Sequence, residues 1–358
     1  MTQPLQTLID LIQYSLSVGA TDLHICIGSA PRVRVGAQLQ PIPDTARMGN
    51  EEILSYVRTM LTDKQYDLLC EQGALDFPFS IQGMGRLRCN IYSQRGTYAI
   101  ALRMLPFDVP KLDTLDLPPA ATQFIHQVRG LVLVVGATGS GKSTTLASLV
   151  DAINETYPYH ILGIEDPIEY LHRHQKSLVT QREVGSDAPS FASALRSALR
   201  EDPDVIMLGE MRDPETVSIA LTAAETGHLV LSTLHTVSAS KTIDRIIDAF
   251  PPGQQTQARA QLATVLQGII SQHLIPRADG QGLVLACEVL VATPAVRNLI
   301  RDGKHYQISS VIQTSQQSGM QLLEADLARL VQTGMISREE AFSHAQDAQI
   351  LTQLLGRR

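Results

Sequence analysis

Hydrophobic positions recur along this chain with two different periods, and the changes of period mark its organisation. In "MTQPLQTLIDLIQYSLSVGA" the residues Leu5, Leu8, Ile9, Ile12 and Leu16 lie on or near one face of a helix. That segment carries no Lys or Arg to meet acidic lipid, so its apolar face is expected to pack against protein. "TDLHICIG" and "PRVRVGAQLQPI" read as strands with a turn over residues 28–31. "NEEILSYVRTMLTDKQYDLLCEQG" predicts a helix from the cap-like Asn50 to Gly73, broken near Thr62. "DFPFSIQ", "GRLRCNIYSQ" and "GTYAIALRML" alternate as three antiparallel strands joined by glycine turns. Residues 1–104 are therefore expected to form an α+β domain.

Pro106, Pro110, Pro118 and Pro119 crowd the stretch 105–119, a density that interrupts helix and sheet alike and predicts an interdomain linker. Over 120–292 the pattern changes. Short apolar runs ("LVLVVG", "HILGIED", "DVIMLGE", "HLVLSTLH", "GLVLACEVL") alternate with helical stretches, which implies an α/β domain with a largely parallel sheet covered by helices. Residues 293–358 read as a helical C-terminal region. The length, 358 residues, suits two domains with a small third piece.

Composition narrows the class. At 44% hydrophobic and 18% charged, the chain can bury substantial cores. A net charge of −7 and only 4% aromatic residues weigh against a nucleic-acid binder. No apolar run reaches the roughly 18 residues of a membrane span, and the N-terminus lacks the basic start and small-residue cleavage site of a signal peptide. Cys26, Cys70, Cys89 and Cys287 are scattered without a CxxC pair, so neither a disulfide framework nor a zinc site is expected. The reading is a reduced, cytoplasmic protein.

The candidate chemistry begins with "LVLVVGATGSGKSTTLASLV" at 131–150. Residues 136–143 fit GxxxxGK[ST] between an apolar strand and a helix. In such a loop glycines let backbone N–H groups curl around phosphate oxygens, while Lys142 reaches the β and γ phosphates and the Ser143 hydroxyl can ligate Mg²⁺. Gly136, Thr138, Gly139, Ser140, Gly141, Lys142, Ser143 and Thr144 are the candidate nucleotide-binding residues. A hydrolase built on this loop needs a carboxylate for the metal and another group to orient water, both at neighbouring strand ends. "DVIMLGEMRD" offers Glu210 for the metal side, with Ser143. "HILGIEDPIEY" offers Glu165 for the attacking water, with Asp166 and Glu169 nearby. Strand-end carboxylates also serve as helix caps, and Asp166-Pro167 reads as a turn. His228 and His235 bracket "HLVLSTLH" as γ-phosphate sensors or as ordinary polar residues. About 23 Å separates them on an ideal strand, so they cannot both touch one phosphate.

In order and spacing, "GATGSGKSTTLA", "ILGIEDPIEY", "ALREDPDVIMLGEMRDPET" and "TAAETGHLVLSTLHT" resemble the Walker A, Asp box, Walker B and His box of the secretion and type IV pilus ATPases. "ATDLHICIG" resembles the opening of that family's PAS-like N-terminal domain. "TPAVRNLIRDGK" at 293–304 is similar to the C-terminal signature of the PilT-type retraction subgroup. The likeness spans nearly the whole chain, and it implies a RecA-like P-loop domain after a PAS-like domain, in a homo-hexamer that hydrolyses ATP with Mg²⁺. By match of position Glu165 would be the catalytic glutamate and Glu210 the Walker B acid, with His228 and His235 as the His-box pair. Arg88 and Arg103 would approach the γ-phosphate, with Arg86 and Arg95 close by on the same strands. The implied partners are an inner-membrane pilus platform protein, which would hold the ring peripherally at the inner membrane, and a paralogous retraction ATPase. No nucleic acid is expected.

Ala137, Val296 and Asp302 depart from the family's usual proline, isoleucine and glutamate. Assembly and secretion relatives usually carry four cysteines after the His box and a longer N-terminal extension. Here 236–290 holds only Cys287 and the chain opens almost directly in the PAS-like domain, which favours retraction and twitching motility over assembly. The alternatives are an assembly or secretion ATPase, a DNA-translocating RecA-like motor, and a nucleotide-binding regulator without turnover. In the tail, "AVRNLIR" places Val296, Leu299 and Ile300 on one stripe and Arg297 and Arg301 on another. That describes either a packed helix with a solvated arginine edge or a surface used for retraction.

Overall fold

The computed structural model describes residues 8–36, 38–81, 84–105 and 109–356. Leu5 and Pro106 lie outside them. The chain divides into two compact units, Met1–Asp108 with Glu169–Leu171, and Val109–Ile168 with His172–Arg358.

The first unit is an antiparallel sheet of β1 (Asp22–Cys26), β2 (Arg32–Val35), β3 (Gln38–Pro41), β4 (Ala74–Ile81), β5 (Gly85–Gln94) and β6 (Thr97–Met104), in the order β3-β2-β1-β6-β5-β4. The helices α1 (Leu8–Ser17), α2 (Asn50–Met60) and α3 (Asp63–Gln72) share its core, which includes Leu11, Ile12, Leu23, Ile53, Leu69 and Ile100. The buried face of α1 is Leu8, Leu11, Ile12 and Ser15, whereas Ile9 is 49% exposed. The burial follows i, i+3, i+4, i+7, and Ile9 stands a full residue's rotation away from that arc. Ser15 sits in the apolar face because its hydroxyl donates to the Leu11 carbonyl.

The stretch "PRVRVGAQLQPI" is a hairpin, with Gly36 at φ +59° after β2. The expected break at Thr62 is a capping box: Thr62 Oγ1 accepts from Gln65 N, and Gln65 Oε1 accepts from Thr62 N at 3.0 Å. Arg95 is not on a strand. With Gly96 it forms the β5–β6 turn, at φ +50° and +75°, the pair of positive values that a tight two-residue hairpin demands.

The second unit carries α4 (Pro119–Thr122), β7 (Gly130–Val135), α5 (Lys142–Thr156), β8 (His160–Glu165), β9 (Leu178–Glu183), α6 (Phe191–Ala198), β10 (Val205–Leu208), α7 (Pro214–Glu225), β11 (Leu229–Leu234), α8 (Ala239–Asp248), α9 (Gln255–Val265), β12 (Leu266–Pro276) and β13 (Leu283–Val291). Its seven-stranded sheet runs β13-β12-β7-β11-β10-β8-β9 and is parallel except for β13 at one edge. Every residue of β7, β10 and β11 is buried, the composition expected of strands covered on both faces. Two strands go beyond the apolar runs recognised in the sequence. β9 is an edge strand whose "LVTQRE" alternates too weakly to stand out. β12 follows α9 with no turn residue between them, so the apolar pattern runs through the boundary unmarked.

Gly268 on β12 shows how tightly this unit is packed. A Cβ there would lie 1.9 Å from Phe124 Cζ and 2.8 Å from the Leu290 carbonyl oxygen. Gly268→Ala is expected to destabilise the unit by about 3 kcal/mol in thermal unfolding. A second change, Phe124→Leu, should recover the part of the loss due to the ring, leaving the part due to the Leu290 carbonyl.

The tail folds as α10 (Pro294–Arg301), α11 (Ile308–Thr314), α12 (Leu323–Gln332), α13 (Arg338–His344) and α14 (Ala348–Gly356). Val296 and Ile300 are buried in the sheet's core with Leu299 packed against it. The arginine edge of α10 is only half solvated. Arg301 is exposed, but Arg297 donates to the carbonyls of Ala292, Ala263 and Thr264 and to Gln267 Oε1, capping the end of α9.

Glu288 on β13 is 3% exposed and accepts from Ala239 N at the start of α8. Burial, reinforced by the charge of Glu324, pushes its carboxyl up to about 7 against the Ala239 hydrogen bond. Between the ordinary carboxylate range and about 7 the folded protein holds a proton that the unfolded chain has released, so this group's contribution to stability falls as pH rises through that window. Glu288→Gln is therefore expected to raise Tm more at about pH 8 than at about pH 5. An equal shift at both would contradict the assignment.

Candidate active site

The parallel register places the chemistry on one edge. Leu234 of β11 pairs with Val135 of β7, Leu208 of β10 with Ser232 of β11, and Ile164 of β8 with Leu208. Residues 136–143 after β7, Glu165 at the end of β8, and Glu210 and His235 just beyond β10 and β11 therefore all stand at the carboxyl edge of the sheet, where ligands bind in open α/β folds.

The loop after β7 is built by backbone geometry. Gly136, Gly139 and Gly141 have φ of +153°, +79° and +87°, and Gly141 caps the N-terminus of α5. At Gly136 a Cβ would sit 2.3 Å from Ser140 Oγ and 2.5 Å from the Gln272 carbonyl oxygen, so this position demands glycine. Lys142 is 7% exposed, and its Nζ donates to the carbonyls of Gly136 at 3.0 Å and Ala137 at 2.8 Å. The lysine thus lies back along the loop rather than in solvent. Ser140 Oγ is buried and has no hydrogen-bond partner among the described residues. Thr145, one turn into α5, accepts from Gln272 Nε2 at 2.8 Å, which ties the helix start to β12.

Glu165 and Glu210 are each 8% exposed. The Asp166-Pro167 bond that follows β8 is cis. Glu165 Oε1 accepts from Gln181 Nε2 at 2.8 Å. Glu210 meets His235 Nε2 at 3.2 Å through one oxygen and Arg212 at 2.5 Å through the other. His235 is half-exposed, so it links the buried carboxylate to the open edge.

His228 is not brought to this site. It precedes β11 at the amino edge, where its ring Nδ1 lies 2.9 Å from the Ala223 carbonyl, so it closes the end of α7. The two histidines look alike in sequence, and only the direction of β11 separates them. Arg88 and Arg103 belong to the first unit, where they face each other across β5 and β6, both exposed. Arg103 donates to Asp22 Oδ1 at 2.9 Å. Residues that the sequence did not single out are Gln181, Arg212 and Gln272. Arg212 stands two places from Glu210, but Gln181 and Gln272 reach the site only through strand pairing.

The profile of the family described as "Type II/IV secretion system protein" matches residues 86–287, more than half of the chain. The chain belongs to that family. Among members of the type II/IV secretion family, a "Twitching motility protein" of Neisseria gonorrhoeae is 47% identical over 322 residues, covering 90% of this chain and 86% of its own. A Pseudomonas aeruginosa protein named "Type IV pilus retractation ATPase PilT" is 45% identical over 337 residues, 94% of this chain and 97% of its own. The crystal structure of a "Pilus Retraction Motor PilT and Bound ADP" superposes with a TM-score of 0.91 at 47% identity, covering 97% of this chain and 99% of that one.

The family-matched segment contains the whole of the carboxyl-edge site, from the loop after β7 to His235. Among the described residues no helix is long and apolar enough to cross a membrane. Nor do three or more His, Cys, Asp or Glu side chains among them form a group able to hold a metal ion. A Mg²⁺ held by one hydroxyl, one carboxylate and substrate phosphates needs no such group.

Proposed function

We propose that this chain is an ATPase that drives type IV pilus retraction, and with it twitching motility. The observation that carries this reading is that Lys142, Glu165 and the Glu210–His235 pair share the carboxyl edge of one sheet. The chain also matches a retraction ATPase over more than nine-tenths of both lengths.

Residues 136–144 bind the phosphates through loop N–H groups, the Ser140 hydroxyl and Lys142. The buried Ser140 oxygen, unpartnered among the described residues, and the glycine geometry fit a phosphate oxygen in the cradle. Ser143 and Glu210 would hold Mg²⁺, which offsets phosphate charge when bound. Glu165 orients the attacking water and takes up its proton as the water oxygen bonds to the γ-phosphorus and the bond to the β–γ bridging oxygen breaks, with ADP as the leaving group. His235, held by Glu210, stands ready to report the state of the γ-phosphate. His228 drops out of the phosphate set. Arg88 and Arg103 are proposed as the arginines that approach the γ-phosphate, on the family likeness and on their exposure as a cross-strand pair. A homo-hexamer acting peripherally on an inner-membrane pilus platform protein, with a paralogous retraction ATPase beside it, completes the proposal.

Deleting the gene in its native host and counting surface pili tests the direction of work. Excess pili with lost surface motility, restored by complementation, are expected. Bald cells would make the chain an assembly motor, and an unchanged count would point to a redundant paralogue or to different cargo.

A further inference from the structure

We propose that Gln181 is a positioning residue for hydrolysis, holding the Glu165 carboxylate in the orientation that acts on water. The proposal rests on the role given above to Glu165. β9 lies beside β8 in parallel register with Gln181 opposite Gly163, so the glutamine side chain crosses toward the residue two places further along β8. There its Nε2 donates to Glu165 Oε1 at 2.8 Å.

The direction of that bond is set by the other end of the amide. Gln181 Oε1 accepts from the backbone N–H of His172 at 3.0 Å. A carboxamide has one acceptor oxygen and one donor nitrogen, so fixing the oxygen on His172 leaves the nitrogen, a donor, facing Glu165. A donor there favours an ionised carboxylate and removes one oxygen's freedom to turn. The His172 anchor is itself firm, because its side chain is only 1% exposed.

Gly163 supplies the floor. A Cβ at that position would lie 3.2 Å from Met207 Cε, 3.4 Å from Gln181 Cγ and 3.5 Å from Glu165 Oε1. The two side chains therefore meet over the one residue of β8 that has none. Glu183, the next residue of β9 on the same face, accepts from Ile168 N at 3.0 Å, so both ends of the segment after Glu165 are tied to this strand.

The test is a double-mutant cycle on the full chain, read by single-turnover ATP hydrolysis and by binding of a fluorescent ATP analogue. Gln181→Leu is expected to lower the hydrolysis rate by about 10- to 100-fold with nucleotide affinity unchanged. In a Glu165→Gln background the same change should cost nothing further, because a residue acting only through Glu165 has nothing left to position. Should Gln181→Leu fail to bind nucleotide, Gln181→Glu decides. It keeps an acceptor for His172 but loses the donor, and the same loss is expected. Equal losses in both backgrounds, or a native rate for the single variant, would overturn the proposal while Glu165 keeps its role. Native turnover by Glu165→Gln alone would overturn the underlying role itself, and the proposal with it.

Discussion

Replacing Lys142 with alanine is expected to remove nucleotide binding and to lower kcat/KM by about 10³ or more. Lys142 is buried at the first position of α5, and its ammonium is held by two carbonyls of the very loop that would wrap the phosphates. Hydrogen bonds from an ammonium to anionic oxygen are stronger than those to neutral carbonyls, so phosphate is the ligand this group favours. Alanine removes that charge and the Lys142 hydrogen bonds to the Gly136 and Ala137 carbonyls, the latter keeping its bond from Ser140 N–H, so binding and turnover should fall together. Titration with a fluorescent nucleotide and a phosphate-release assay on the same preparation measure both. Undiminished turnover would sink the phosphate-cradle assignment.

Glu165→Gln should separate the two properties that Lys142→Ala joins. The amide has nearly the shape of the carboxylate and can still accept from Gln181 Nε2, so the local hydrogen bond survives. Lys142 and the loop after β7 are untouched, and ATP binding should remain native. What is lost is a base able to take a proton from water. Turnover is therefore expected to fall by about 10²- to 10⁴-fold. Measuring nucleotide affinity and single-turnover hydrolysis side by side checks this, and a native hydrolysis rate would remove Glu165 from the reaction.

The parts of this site that are local in the chain were legible in the sequence. A strand, a glycine turn and a helix follow one another over 131–150, and the positive φ values at Gly139 and Gly141 are the reason glycine stands there. Glu165 and Glu210 could be found because each ends or follows an apolar strand. The histidines show the limit. Both bracket β11, and nothing in "HLVLSTLH" says which end faces the loop. Arg297 was equally ambiguous, since an i,i+4 arginine pair looks like a solvated edge until α9 is seen to end beneath it.

By itself the sequence determined the glycine-rich loop between a strand and a helix, the alternation of strand and helix, and which carboxylates stand at the strand ends. Each of these depends on contiguous residues and on short-range sterics. Tertiary structure alone decided the rest: β9 and β12 as members of the sheet, His235 rather than His228 at the carboxyl edge, and Gln181 against Glu165 over Gly163. Strand pairing brings together residues far apart in the chain, and neither hydrophobic period nor turn residues record which strand will lie beside which.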